Sequence, residues 1–250
     1  MVFLARRILS VLPALCVLCS APAVAQVIKV TSEDSLEPLK PLFDKLLRNA
    51  GFEPQIRTYP GERSFQMMRR GEVDMEYTRT KTAVASIRDS VTLVGPVGCI
   101  EGVTFTRSDA PIPIEKASDL ENFKIGVPFV HKTAIAYAAE NKLNVEIVNQ
   151  RDSLFKMLDA RRFSLVVDAL VAGLRSIDAA GLQGKIVQTG PVLFSEPVYL
   201  VVSNTHPDWA ARVQKAFDTL LHSGAWRVDV ANINKAAGLP KKAGLACLKE

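Results

Sequence analysis

"RRGEVDMEYTR", residues 69–79, decides the fold. Arg69 and Arg70 close a helix, and Gly71 supplies the left-handed turn after it. Val73, Met75 and Tyr77 then alternate with Asp74, Glu76 and Thr78, the period-two pattern of a strand. That strand runs into Thr78 and Arg79. An apolar strand therefore delivers a guanidinium at its C-terminal end.

The segments before it repeat the same alternation. Val27–Val30 reads as a strand leading into the polar loop "TSEDSLEP". In "LKPLFDKLLRNAGF" (39–52), Leu39, Leu42, Phe43, Leu46 and Leu47 have helical spacing, and Gly51 is the stop. "EPQIRTYP" (53–60) is a second strand. "GERSFQMMRRG" (61–71) is a second helix, with Phe65, Met67 and Met68 for its buried side. The order β-α-β-α-β implies a parallel sheet covered by helices. Ligands of open α/β sheets lie beyond the carboxyl ends of the strands. Glu33, Tyr59, Thr78 and Arg79 fall there.

A second cycle follows a Pro-rich passage. Its strands are "KIGVPF", "VEIVN" and "SLVVDAL", and its helices are "KTAIAYAAENKL", "RDSLFKMLDARRF" and "AGLRSIDAAGL". Between the cycles, Val91–Val94 and Gly102–Arg107 read as extended segments. "KIVQTGPVLFSEPVYLVVSN" (185–204) is extended again. "HPDWAARVQKAFDTLLHSGAW" (206–226) is an amphipathic helix, with Trp209, Val213, Phe217 and Leu220 facing inward and Gly224 after its end.

The chain has 250 residues, 48% of them hydrophobic and 23% charged, enough for one good core or two small lobes. Arg6 and Arg7, the apolar stretch Ile8–Cys19 and the small-x-small Ala23-Val24-Ala25 read as a secretory signal, residues 1–25, in preference to a membrane anchor. Its removal takes the net charge from +5 to +3, leaving 29 basic and 26 acidic side chains. Basic residues do not cluster among aromatics, so nucleic acid is not an expected partner. Of four cysteines, Cys99 and Cys247 remain. In an oxidising compartment they can pair, and two separate thiols are the alternative. No metal-ligand, redox or nucleophile motif is visible, so no metal and no cofactor are expected.

Four fragments carry a resemblance: "RSFQMMRRGEVDMEY", "SDLENFKIGV", "FKMLDARRFSLVV" and "EPVYLVVSNTHPDWAARVQKAFDTLLHSG". In this order and spacing they resemble the bacterial solute-binding proteins of the amino-acid-binding family (family 3, type II periplasmic binding fold). The likeness covers nearly all of residues 26–226. It implies an α/β fold of two lobes, each a mostly parallel sheet flanked by helices. Residues 26–106 with 197–250 would form lobe 1 and 107–196 lobe 2, joined by two hinge crossovers. It implies a periplasmic monomer without catalysis, capturing a small molecule for an inner-membrane permease or a sensor. Alternatives on the same scaffold are an exported enzyme of the dehydratase type and an accessory protein.

The departures bear on the ligand. In the resembled family an Arg grips the ligand's α-carboxylate; here Arg79 and Arg88 compete for that role. Val130-His131-Lys132-Thr133 stands where the family holds the carboxylate at a helix start, so Lys132 and Thr133 are candidates. Asp168 lies near the place of the family's Asp for the α-amino group. From the residues themselves, Arg63 and Ser64 open a helix, where backbone N–H groups attract anions. Tyr59 could stack on a ligand, and Glu33 could receive a cationic group. His131 reads as a surface residue and Tyr77 as core. Arg63, Arg79 and Lys132 against Glu33 and Asp168 make the expected cleft lean cationic, which suggests a carboxylate-bearing ligand.

Overall fold

The computed structural model describes residues 25–248; residues 1–24 of the expected signal lie outside them. The first cycle comprises β1 (Gln26–Glu33), α1 (Lys40–Asn49), β2 (Phe52–Tyr59), α2 (Gly61–Arg69) and β3 (Met75–Thr80). β4 (Val91–Arg107) leads to β5 (Ile125–Pro128), α3 (Lys132–Glu140), β6 (Val145–Val148), α4 (Arg151–Asp159), β7 (Leu165–Ala169) and α5 (Leu170–Ala179). β8 (Ile186–Ser203), α6 (Trp209–His222) and α7 (Ala225–Ala236) complete the chain. Short 3-10 turns cover Asp34–Leu39, Ala85–Ser90 and Ala117–Asn122.

The strands form one sheet in the order β2-β1-β3-β8-β4-β7-β5-β6. β1 is parallel to β2 and β3, and β5 is parallel to β6 and β7. These two parallel sets are joined by β4 and β8, an antiparallel ribbon of 17- and 18-residue strands. The sequence left open whether 91–107 holds one extended segment or two. It is one strand, because β8 pairs with β4 on both sides of the register shifts at Val94/Gly98 and Gly102/Thr104. Those shifts turn the ribbon between the two parallel sets. Glycine is required at the turn: a Cβ on Gly102 would lie 2.1 Å from the Phe194 ring, and one on Gly98 would lie 2.8 Å from the Gly244 carbonyl oxygen. The C-terminal tail thus lies directly on the ribbon. Cys99 and Cys247 are bonded there, with Cα atoms 5.6 Å apart.

Helical spacing places the apolar residues as read. Leu42, Phe43, Leu46 and Leu47 of α1 are buried, as are Trp209, Val213, Phe217 and Leu220 of α6. With β1, β3 and β8 they form one core, in which Phe43 stacks on Tyr77 at 4.4 Å between centroids. Trp226 of α7 closes that core edge-on against Phe43 and Phe217. Around β5 and β7 lie separate cores, built from Phe105, Phe155 and Val166 on one side and Ile125, Val127 and Leu165 on the other.

Candidate functional site

Strict alternation along β3 would put Arg79 on the face of Val73, Met75 and Tyr77, inside the apolar core. The strand avoids this with a bulge. Its register against β8 shifts between Glu76 and Arg79, and Thr78 takes a left-handed φ of 63°. For a β-branched residue that conformation is strained, on the order of 1–3 kcal/mol. A bulge re-aims the side chain after it, and Arg79 lines a cavity beside β1. Its Nη2 donates to Glu76 Oε1 at 2.5 Å and to the Gly61 carbonyl at 2.9 Å. Glu76 is fully buried and also accepts from the Ser64 hydroxyl. Burial alone would lower the Arg79 pKa; the charge and hydrogen bond of Glu76 outweigh it and raise it.

A second guanidinium lines the same cavity from the other half of the sheet. Arg151, at the start of α4, donates from Nη1 to Glu33 at the end of β1 and from Nε to Asp168 at 2.8 Å. Asp168 Oδ1 lies 3.2 Å from His131 Nδ1 and accepts the Ala169 N–H at 2.7 Å. Ser35 donates its hydroxyl to Glu33 at 2.9 Å. Burial alone would raise the Glu33 carboxyl. Arg151, then Arg79, and bonds from Ser35 and Arg151 together hold it below the usual carboxylate range. Asp168 is likewise held low: Arg151, His131 and the Ala169 N–H overcome its complete burial. Glu33 thus stands where the fields of two guanidiniums from opposite halves of the sheet overlap.

The cavity between these groups is about 140 Å³, ample for several waters or a small molecule. Of the sequence candidates, Glu33, Thr78, Arg79, Lys132 and Thr133 line it. Asp168 sits behind the wall, against Arg151 and His131. The structure does not bring the others there. Arg88 is exposed on the 3-10 turn 85–90, and Arg63 is exposed with its guanidinium 4.8 Å from the Tyr59 ring. Ser64 is buried and holds Glu76. Lys132 lies over Phe129, 3.3 Å from the ring centroid, and Thr133 donates to Glu196 of β8.

Two readings are corrected, and one residue is added. The cleft is not simply cationic, because Arg63 stays outside and Arg79 and Arg151 are matched by Glu76, Glu33 and Asp168. His131 is a buried wall residue, 5% exposed, not a surface one, and among the described residues neither of its ring nitrogens has a hydrogen-bond partner, although Nδ1 lies near Asp168. Arg151 was not singled out, although the strand-end rule applied to β6 would have found it three residues beyond Val148. Among the described residues no group of three or more His, Cys, Asp or Glu could hold a metal ion, and no helix is long and apolar enough to cross a membrane.

No protein-family model and no curated protein match the chain. Solved structures do match its fold. A histidine kinase sensor domain with similarity to periplasmic binding proteins superposes with a TM-score of 0.69 at 16% identity, over 84% of this chain and 96% of that one. The P235GK mutant of the arginine-binding protein ArgBP from T. maritima gives 0.67 at 16% identity, over 84% and 95%. The GluR0 ligand-binding core from Nostoc punctiforme, in complex with L-glutamate, gives 0.65 at 16% identity, over 85% and 100%. The chain therefore has the two-lobed α/β fold of periplasmic binding proteins.

Proposed function

We propose that this chain is an exported, non-catalytic solute-binding protein that captures a small carboxylate-bearing ligand between its lobes. Lobe 1 comprises residues 26–106 and 197–250, lobe 2 residues 107–196, and the β4–β8 ribbon between them is the hinge. The signal, residues 1–25, places the protein in the periplasm, where a permease or a sensor reads its closed form. Among proteins of this fold, a kinase sensor domain and arginine and glutamate binders support a receptor role.

One observation carries the carboxylate: Arg79 and Arg151, from opposite lobes, line one cavity, and Arg151 is ion-paired there to the carboxylate of Glu33. A ligand carboxylate takes that place, Glu33 swings out, and the ligand bridges the lobes. Only contacts made in the closed form and not in the open one drive closure. The test is thermal unfolding and small-angle scattering across a panel of small carboxylates and amines. A ligand at a hundredfold excess over its Kd adds about 2.7 kcal/mol, or roughly 5–10 °C for a chain of this length. A panel in which amines stabilise and carboxylates do not rejects the carboxylate.

A catalytic reading is favoured by one observation, the buried His131 beside Asp168 with its Nε2 unbonded at the cavity wall. An imidazole beside a carboxylate, with a ring nitrogen free at a cavity wall, can act as a general base. Chemical change in a bound ligand, followed by NMR, and its loss in His131→Gln would establish that reading over the first.

A further inference from the structure

Glu33, Arg79 and Arg151 line one part of the cavity. Beyond them it runs under the 3-10 turn 34–39, between Leu36, Leu39 and Phe43 on one side and Leu170 and Val171 at the start of α5, as far as Trp226 of α7. Several polar groups along this stretch are engaged within the protein. Trp226 Nε1 donates to the Val97 carbonyl at 3.0 Å. Asn234 Nδ2 donates to the carbonyls of Ala243 at 2.9 Å and Lys241 at 3.3 Å. The Cys99 N–H bonds the Gly244 carbonyl at 2.8 Å, and Thr80 Oγ1 accepts the Ala83 N–H at 3.1 Å. Glu101 is tied to the backbone of Gly244. A polar group placed here would lose its water and find few partners, at a cost of roughly 1–3 kcal/mol each. An apolar group would gain from the same burial.

We infer that the site takes an amphiphilic monocarboxylate, its charged head between Arg79 and Arg151 and its apolar body in the hollow beneath the 34–39 turn. This rests on the carboxylate reading above and adds the nature of the rest of the ligand. Head and body are separately testable, because a short carboxylate engages only the first.

The experiment is titration calorimetry of the wild-type protein with straight-chain carboxylates from acetate to octanoate, with gluconate as the hydroxylated match for hexanoate. Affinity is expected to rise roughly three- to fourfold per methylene until the hollow is full, and hexanoate to bind far more tightly than gluconate. Leu36→Asn should weaken hexanoate by about tenfold more than it weakens acetate. Acetate binding with no gain along the series, or gluconate equal to hexanoate, overturns the apolar body while the carboxylate head stands. Absence of binding by every carboxylate overturns both. Unaltered hexanoate binding in Leu36→Asn overturns the placement under the turn.

Discussion

Arg151, on α4, is bonded to Glu33, at the end of β1, so that one ion pair joins the two halves of the sheet across the cavity between them. The pair is only partly exposed, 10% and 15% for its two side chains, and it is the contact a ligand carboxylate would replace. Glu33→Ala should therefore lower stability by about 2 kcal/mol. Formate or acetate at tens of millimolar should restore more of the melting temperature in the variant than it adds to the wild type. Equal effects on both proteins would mean that Glu33 does not occupy an anion site.

Stability should depend on pH through Glu33 and Asp168. Both carboxyls are held lower in the folded protein than in the unfolded chain. Their contribution is thus complete above the unfolded carboxyl pKa of about 4 and is lost as pH falls below it through the folded values. Melting temperature should be flat in this respect from pH 7 to about 5 and decline below about 4. Asp168→Asn should be less stable at pH 7 and show a shallower decline. An equally steep decline in the variant would place the acid sensitivity elsewhere.

Arg79 holds a buried carboxylate as well as facing the cavity. Arg79→Ala should cost about 3–5 kcal/mol, because Glu76 is left buried without its ion-pair partner. Arg79→Ala with Glu76→Gln should regain much of that stability without regaining ligand affinity. Recovery of both would show that Arg79 serves only the fold.

Thr78 keeps its left-handed backbone for the sake of the bulge. Thr78→Gly removes the clash that a β-branched side chain makes there, against the cost of a more flexible unfolded chain. A net gain of about 1 kcal/mol is expected by chemical denaturation. A loss would mean that the Thr78 side chain stabilises more than its backbone conformation costs.

Cys99 and Cys247 close a loop with a sequence separation of 148. By chain-entropy reasoning, their joint replacement with serine should cost about 2–5 kcal/mol. Reductant should lower the wild-type melting temperature towards that of the variant; insensitivity to reductant would argue that the bond contributes little.

Local pattern was enough for much of the architecture. The alternation in 73–77, the helical spacing of Leu42, Phe43, Leu46 and Leu47, and the inward stripe of α6 depend only on which residues lie near in sequence. Burial of an apolar face is decided at that range. Those patterns placed the β-α-β-α-β cycles, the parallel pairing within them and the strand ends near which Glu33, Thr78 and Arg79 stand.

Tertiary structure decided the rest. Alternation alone sends Arg79 into the core; the slip of β3 against β8, a strand more than a hundred residues later, turns it to the cavity. Residues 91–107 could be read as one piece or two until β8 supplied a partner on both sides of the register shifts. Arg151 drew no attention in the sequence, and the charge balance of the cleft looked positive, because Glu33 and Asp168, its partners, come from elsewhere in the chain. Sequence periodicity reports whether a side chain is buried. Which charge it meets there is set by long-range packing, and electrostatics in a site with little water is governed by those meetings.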